Sequence, residues 1–160
     1  MGWDGKQDVT KRMRDIAVYK PNPKKTGSVA QFKLSSNRDC MFVEVANQIA
    51  PKDSSAPYDW ANKIIVKLGD TDICKFLAYF NLNRPGAPLK LYHRSPDGTN
   101  KTIEIKWQEF NGKESYYLSI SHQKVKGERA NRVSIPIGLD EIEYLKIGFR
   151  KALEIFLEWN

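Results

Sequence analysis

The sequence predicts an α+β domain: a curved antiparallel sheet carrying two strand-then-helix units, in the order strands, helix, four strands, helix. Three observations carry this expectation. Near the C-terminus Val133, Ile135 and Ile137 alternate with Arg132, Ser134 and Pro136, the period of a strand with one buried face. Gly138 then breaks the run, and Ile142, Leu145, Phe149, Ala152, Leu153 and Phe156 follow at the three-to-four spacing of a helix with one buried face. The same succession occurs 69 residues earlier: Ile64 aligns with Val133, Gly69 with Gly138, Asp72 with Glu141, Ile73 with Ile142, Phe76 with Leu145 and Phe80 with Phe149. A long internal period of this kind marks two copies of one sheet-then-helix unit.

From the N-terminus, residues 1–30 hold seven basic side chains against three acidic ones, and Pro21, Pro23, Gly27 and Ser28 punctuate the second half. They read as a basic, partly flexible arm with a short helix around Val9 to Ala17, and the domain proper as residues 31–160. Phe32 and Leu34 open a strand, and Met41, Val43 and Val45 alternate in the next. Asp53 to Pro57 form a loop leading through Tyr58 and Trp60 to the strand at Lys63. Ile64, Val66 and Leu68 alternate, and Asp70 and Asp72 then sit where the positive end of a helix dipole favours carboxylates. Cys74 reads as a small core residue of that helix.

Between the helices, Arg84, Pro85, Gly86 and Pro88 make a sharp link. Leu89, Leu91 and His93 alternate with Lys90, Tyr92 and Arg94; Pro96-Asp97-Gly98 turns the chain; and Ile103, Ile105 and Trp107 return. Asn111-Gly112 is the strongest hairpin signal in the chain. Leu118 and Ile120 continue a strand that ends in the basic loop Lys124 to Arg129. Pro136 has no N–H to give a ladder, which puts the last strand at an edge. Strands clustered between helices, rather than alternating with them, give α+β.

At 160 residues the chain suits one domain with its own core. Two cysteines make no disulfide framework and fit a reducing compartment. No apolar run approaches the roughly 18 residues of a membrane span. The charged N-terminus has no apolar secretory core, so the expected location is cytoplasmic, nucleoid-associated if the source is prokaryotic. The net charge is +7 with a pI near 9.4, which points to a polyanionic partner.

Alternation also predicts what lies opposite the apolar side. Lys63, Lys67, Lys90, Tyr92, Arg94, Lys106, Tyr117 and Arg132 fall there, joined by Phe42, Phe110, Ser119 and Ser134. Cations neutralise phosphates, and flat rings give unstacked bases a platform worth about 1–3 kcal/mol each. The candidate nucleic-acid-binding set is Lys63, Lys67, Lys90, Tyr92, Arg94, Lys106, Trp107, Phe110, Tyr117, Lys124, Lys126, Arg129 and Arg132. Both helices look buried, so neither offers a base-reading face to a duplex groove. Single strands are therefore the expected partner, with RNA open beside DNA because nothing reads out a 2′-hydroxyl.

The order of elements, the twin strand-Gly-acid-helix junctions and the cationic outer face resemble the Whirly family. That family shares a fold with the positive-cofactor-four transcription coactivator and the archaeal ThermoDBP single-stranded DNA-binding proteins. The resemblance covers roughly Gln31 to Asn160 and is one of pattern; the Lys-Gly-Lys-Ala-Ala-Leu signature of plant Whirly proteins is absent. It implies a curved sheet that holds a single strand, and C-terminal helices that pack in a homodimer or higher homo-oligomer. The wide apolar stripe of the last helix, spilling to Ile147, Ile155, Leu157 and Trp159, supports self-association on its own.

Two other function classes compete. Asp97, Glu104 and Lys106 resemble the metal-and-lysine constellation of PD-(D/E)xK nucleases, but Asp97 sits in a turn that accounts for it fully. A protein-interaction module docking an acidic partner is the second. His93 and His122 have no metal-ligand companion at short spacing, Ser119 and Ser121 lack a nucleophile elbow, and no Gly-rich phosphate loop occurs. The expectation is a protein without catalytic activity and without a cofactor.

Overall fold

The computed structural model describes residues 14–49 and 57–159. Among these residues eight strands form two four-stranded antiparallel sheets, each followed by a helix. The first sheet comprises β1 (Ile16–Lys20), β2 (Ser28–Leu34), β3 (Met41–Asn47) and β4 (Ile64–Leu68), in that spatial order. A single 3-10 turn, Trp60–Asn62, precedes β4, and α1 (Asp70–Phe80) follows it. The second sheet comprises β5 (Leu89–Arg94), β6 (Asn100–Phe110), β7 (Lys113–Gln123) and β8 (Asn131–Gly138), again in sequence order, and α2 (Leu139–Leu157) closes the chain.

The predicted repeat is a four-strand-plus-helix unit, and its junctions match in chemistry as well as in position. Helices leave their first N–H groups without internal acceptors. At α1 the Gly69 N–H donates to Asp72 Oδ2 at 3.1 Å, and at α2 the Gly138 N–H donates to Glu141 Oε1 at 3.0 Å. Each carboxylate also meets a basic side chain from the first strand of the other unit. His93 Nε2 of β5 lies 3.3 Å from Asp72, and Lys20 Nζ of β1 meets Glu141. The junctions thus clasp the two units reciprocally.

One core lies between the sheets and helices. Val43, Val66 and Leu68 of the first sheet and Ile105, Leu118, Ile120 and Ile135 of the second face Ile73, Phe76, Leu145 and Phe149 of the helices. Phe149 is fully buried, with ring centroids 5.7 Å from Phe32, 5.7 Å from Phe76 and 6.3 Å from Phe80, so it joins both helices to β2. The sheets are tied directly as well: Ser28 Oγ donates to the Ser134 carbonyl at 2.6 Å, and Lys101 Nζ to the Ile65 carbonyl.

The α+β class with two strand-then-helix units holds, and its antiparallel strands divide into two four-stranded sheets. Several expectations are corrected. Regular structure is present before residue 31: Ile16–Lys20 is a strand, and β2 starts at Ser28. The proposed helix around Val9 to Ala17 falls partly outside the described residues, and Ile16 and Ala17 are strand residues. Pro21, Pro23 and Gly27 belong to the β1–β2 connection rather than to a linker. Gly27 is needed there, because a Cβ would stand 2.0 Å from the Lys20 carbonyl oxygen. Cys74 is exposed on α1, one position off the buried stripe of Ile73, Phe76 and Phe80, whereas Cys40 is buried. Pro136 does lie on an edge strand, since β8 pairs only with β7.

Candidate nucleic-acid interface

Register decides which side chains share a surface, because successive residues of a strand point to opposite faces. In the second sheet the core face holds Leu91, Ile103, Ile105, Tyr116, Leu118, Ile120, Val133, Ile135 and Ile137. The opposite face is built in rows across the strands. Lys90 pairs with Glu104, which pairs with Ser119 and then Ser134. Tyr92 leads through Thr102 and Ser121 to Arg132, and Arg94 through Asn100 to Gln123. Lys106 stands opposite Tyr117, which faces Pro136 on β8. Phe110 lies opposite Lys113 at the hairpin end.

This face is open. Tyr92 is 73% exposed and Phe110 76%, values at which an aromatic ring gains nothing from the protein's own core. Lys106 Nζ lies 5.7 Å from the Tyr117 ring centroid, which holds the ring and the cation as a preformed pair. Lys90 is balanced by Glu104 at 3.6 Å. Arg94, Lys106 and Arg132 form no ion pair with any described residue. Beside Tyr92 a hollow of about 400 Å³ is lined by Arg94, Asn100, Lys101, Thr102 and Gln123 among others. The β7–β8 loop projects from the same end with Lys124, Lys126 and Arg129 exposed, and Gln123 Nε2 anchors it by donating to the Glu128 carbonyl at 3.1 Å. His122, nearby on the core-facing register, is held below its ordinary pKa by burial first and by the charges of Lys101 and Lys124 second.

The remaining candidates separate from this cluster. Trp107 is a correction: it shares register with Ile103 and Ile105, packs half-buried against the core, and has the Arg84 guanidinium 5.6 Å from its ring. Its backbone N–H, beyond the end of β5, donates to the Tyr79 hydroxyl at 2.9 Å, so the residue seals the helix side of the sheet. Lys63 and Lys67 belong to the outer side of the first sheet, not to the surface that carries Tyr92 and Tyr117. Phe42 lies there too, half-buried between Lys33 and Lys67 in the cross-strand register.

The first sheet's outer side holds what sequence reasoning missed. Tyr58 is 6% exposed and caps Val29 and Ala46, with Trp60 packed alongside. Tyr19 lies with its ring centroid 6.0 Å from that of Tyr58. One row along, Glu44 is a buried carboxylate held by Lys33 Nζ at 2.7 Å and Lys63 Nζ at 3.2 Å. The signal was available: Glu44 interrupts the apolar run Met41 to Ala46, and a carboxylate in such a run needs partners. The nuclease constellation is explained otherwise. Asp97 Oδ1 accepts from the Thr99 N–H at 2.9 Å and its hydroxyl at 2.8 Å, bonds that depress its carboxyl pKa, and Glu104 pairs with Lys90 on the sheet face. Among the described residues no group of three or more His, Cys, Asp or Glu side chains is placed to hold a metal ion.

The model of the Whirly transcription factor family matches residues 10–147. The chain belongs to the Whirly family. Its solved structural neighbours agree on the fold. Arabidopsis thaliana WHY3 superposes with a TM-score of 0.69 at 16% identity, over 92% of this chain and 90% of that one. Arabidopsis thaliana WHY1 gives 0.67 at 16%, over 91% and 86%. A guideRNA-binding protein complex bound to a gRNA gives 0.64 at 12%, over 93% and 96%. No curated protein sequence matches the chain. The Whirly match begins at residue 10, ahead of β1, in keeping with a domain that includes the first strand. Among the described residues no helix is long and apolar enough to cross a membrane.

Proposed function

We propose that this Whirly-family chain is a non-catalytic single-stranded nucleic-acid-binding protein that favours DNA over RNA. The observation that carries the reading is the outer face of the second sheet, where Tyr92 and Phe110 stand exposed among Lys90, Arg94, Lys106 and Arg132. Phosphates would lie against the cations, and bases would stack on Tyr92, Tyr117 and Phe110. Lys124, Lys126 and Arg129 extend the positive strip past the end of the strands, while Lys63 and Lys67 contribute from the first sheet. Duplex DNA suits the face poorly, since its bases are already stacked on one another.

A second copy of the chain is the proposed cover for the outer side of α2. Tyr144 (58% exposed) and Ile147 (64%) lie one turn apart there, away from the buried Leu145, Phe149 and Ala152, and Leu157 (59%) is exposed at the helix end. Uncovered apolar surface of this kind on a helix marks an interface.

The test is a titration of one fixed-length oligonucleotide as single-stranded DNA, duplex DNA and RNA, each at two salt concentrations. Single-stranded DNA should bind tightest, with affinity falling steeply as salt rises. The combined variant Tyr92→Ala, Lys106→Glu, Tyr117→Ala should weaken single-strand binding roughly a hundredfold, two lost stacking platforms and one reversed charge. Equal affinity for duplex and single strand, or wild-type affinity in the triple variant, overturns the reading.

A further inference from the structure

We propose that the first sheet's outer cleft is a guanine-selective base pocket, with Glu44 as the group that reads the base. The inference rests on the single-strand reading above and adds a base preference located on the other sheet. The cleft, about 610 Å³, has Tyr19, Tyr58 and Trp60 on one side and Lys33, Glu44 and Lys63 on the other. The cleft is open to solvent and roomy enough for one base.

Register sets the geometry. Tyr19 pairs with Val29, which pairs with Ala46, and Tyr58 and Trp60 pack on that row. Glu44 lies two residues along β3 from Ala46, on the same face, hence about 6.6 Å away along the strand. A ring stacked on the aromatic row therefore presents its edge to the Glu44 row. Two features fix what that edge must be. A carboxylate offers acceptors only, so it selects a base edge carrying donors. Guanine alone carries two adjacent donors, N1–H and the N2 amine. Adenine and cytosine place a ring acceptor beside their one amine, and thymine has a single N–H between two carbonyls, so each would set a lone pair against the carboxylate.

The lysines complete the site. Lys33 and Lys63 hold the Glu44 carboxylate ionised inside the sheet surface, while their own side chains remain about one-third exposed. Both ammonium groups lie on Glu44 and line the cleft, and each keeps further N–H donors, so one can meet the guanine O6 and the other the adjoining phosphate. Gln31, the cross-strand neighbour of Glu44, donates from Nε2 to the Tyr19 hydroxyl at 3.2 Å and so steadies the stacking ring. Glu44, buried yet ionised on a surface otherwise suited to polyanions, is thereby given a role that a phosphate-binding sheet does not itself require.

The experiment uses the wild-type chain and an oligodeoxythymidylate in which one central position is dT, dG or deoxyinosine, which lacks the N2 amine. The dG strand should bind roughly tenfold tighter than dT, the discrimination expected of one bidentate pair, and deoxyinosine should lose most of that gain. Glu44→Gln should abolish the dG preference while raising affinity for the all-dT strand, because a negative charge leaves the face. Equal binding of dG, deoxyinosine and dT by the wild type overturns the base pocket even if Glu44→Gln fails to fold. Should the all-dT strand bind no better than a duplex, the single-strand reading fails instead.

Discussion

The two halves of this molecule share their joints and differ in their outward surfaces. Each half is four strands and a helix, entered through a glycine whose N–H is taken by an acid three residues on. Beyond that the halves diverge. In the first, β2 and β3 are seven residues long, and the outer side is roofed by Tyr58 and Trp60 and closed by the Lys33–Glu44–Lys63 cluster. In the second, β6 and β7 run to eleven residues each and carry open rings and unpaired cations. The parts that clasp the fold are repeated, and the outward surfaces differ between the halves. One half offers exposed rings and cations along its strands, the other an open cleft of about 610 Å³ beside a buried carboxylate.

The largest test of the shared core compares the phenylalanines that the repeat superposes. Phe149 is fully buried and meets Phe32, Phe76 and Phe80, while Phe80 is 5% exposed and near the end of its helix. Phe149→Ala should lower stability by about 3–5 kcal/mol in urea unfolding. Phe80→Ala should cost less, because the end of α1 can relax into the space. Equal losses would mean that the halves are supported symmetrically and that α2 is not the central element.

The glycines give a smaller contrast. At Gly27 an added Cβ would strike backbone, the Lys20 carbonyl oxygen at 2.0 Å, and Gly27→Ala should cost about 1–3 kcal/mol. At Gly148 the obstacle is Ile16 Cδ1 at 2.2 Å, the far end of a flexible side chain. Gly148→Ala also gains up to about 1 kcal/mol of helix propensity, so its net effect should stay within about 1 kcal/mol of zero by the same measurement. A large loss at Gly148 would show β1 pinned to α2 more rigidly than the rest of the edge.

These positions also show what the sequence could reveal. The junctions were legible because they combine three local signals at one spacing: alternation, a glycine and an acid. The first strand was not. Ile16, Ala17 and Val18 are too few to display a period, and the neighbouring prolines and Gly27 read as a linker when they are a connection between paired strands. Alternation states which face a side chain takes but not which sheet it belongs to, so it groups Lys63 and Lys67 with Lys90 and Arg94. The register of Trp107 places it with Ile103 and Ile105, so its ring belongs to the core side rather than to the open face. Cys74 lies next to Ile73, where one residue is a rotation of about 100° and enough to leave the buried stripe.

The twin junctions allow a matched pair of substitutions. Asp72→Ala frees the Gly69 N–H and removes the partner of His93; Glu141→Ala frees the Gly138 N–H and removes the partner of Lys20. Each should cost roughly 0.5–1 kcal/mol in thermal or urea unfolding, the range of an acid in the first turn of a helix. Similar values support the equivalence of the clasps. A clearly larger loss at Glu141 would assign the tighter clasp to β1.

The smallest expected effect concerns acid, and it separates the two outer faces. Burial alone would raise the Glu44 carboxyl, but hydrogen bonds from Lys33 and Lys63, and then their charges, outweigh it and hold the group below its ordinary 4.5. Lys33 is raised above 10.5, first by its bond to Glu44. A depressed carboxyl contributes stability that is complete above its unfolded pKa and vanishes as pH falls through the folded one; a raised lysine contributes below its unfolded pKa and loses it as pH rises further. The cluster should therefore weaken below about pH 4.5 and again above about pH 10.5. Glu44→Gln should flatten the stability profile at both ends, measured by urea unfolding across pH. On the second sheet the exposed Lys90–Glu104 pair, 3.6 Å apart, should make little difference when removed, as surface pairs do. If Glu44→Gln leaves the slope below pH 4.5 as steep as in the wild type, the carboxylate is not held by its lysines in solution and the first sheet's outer side is as open as the second's.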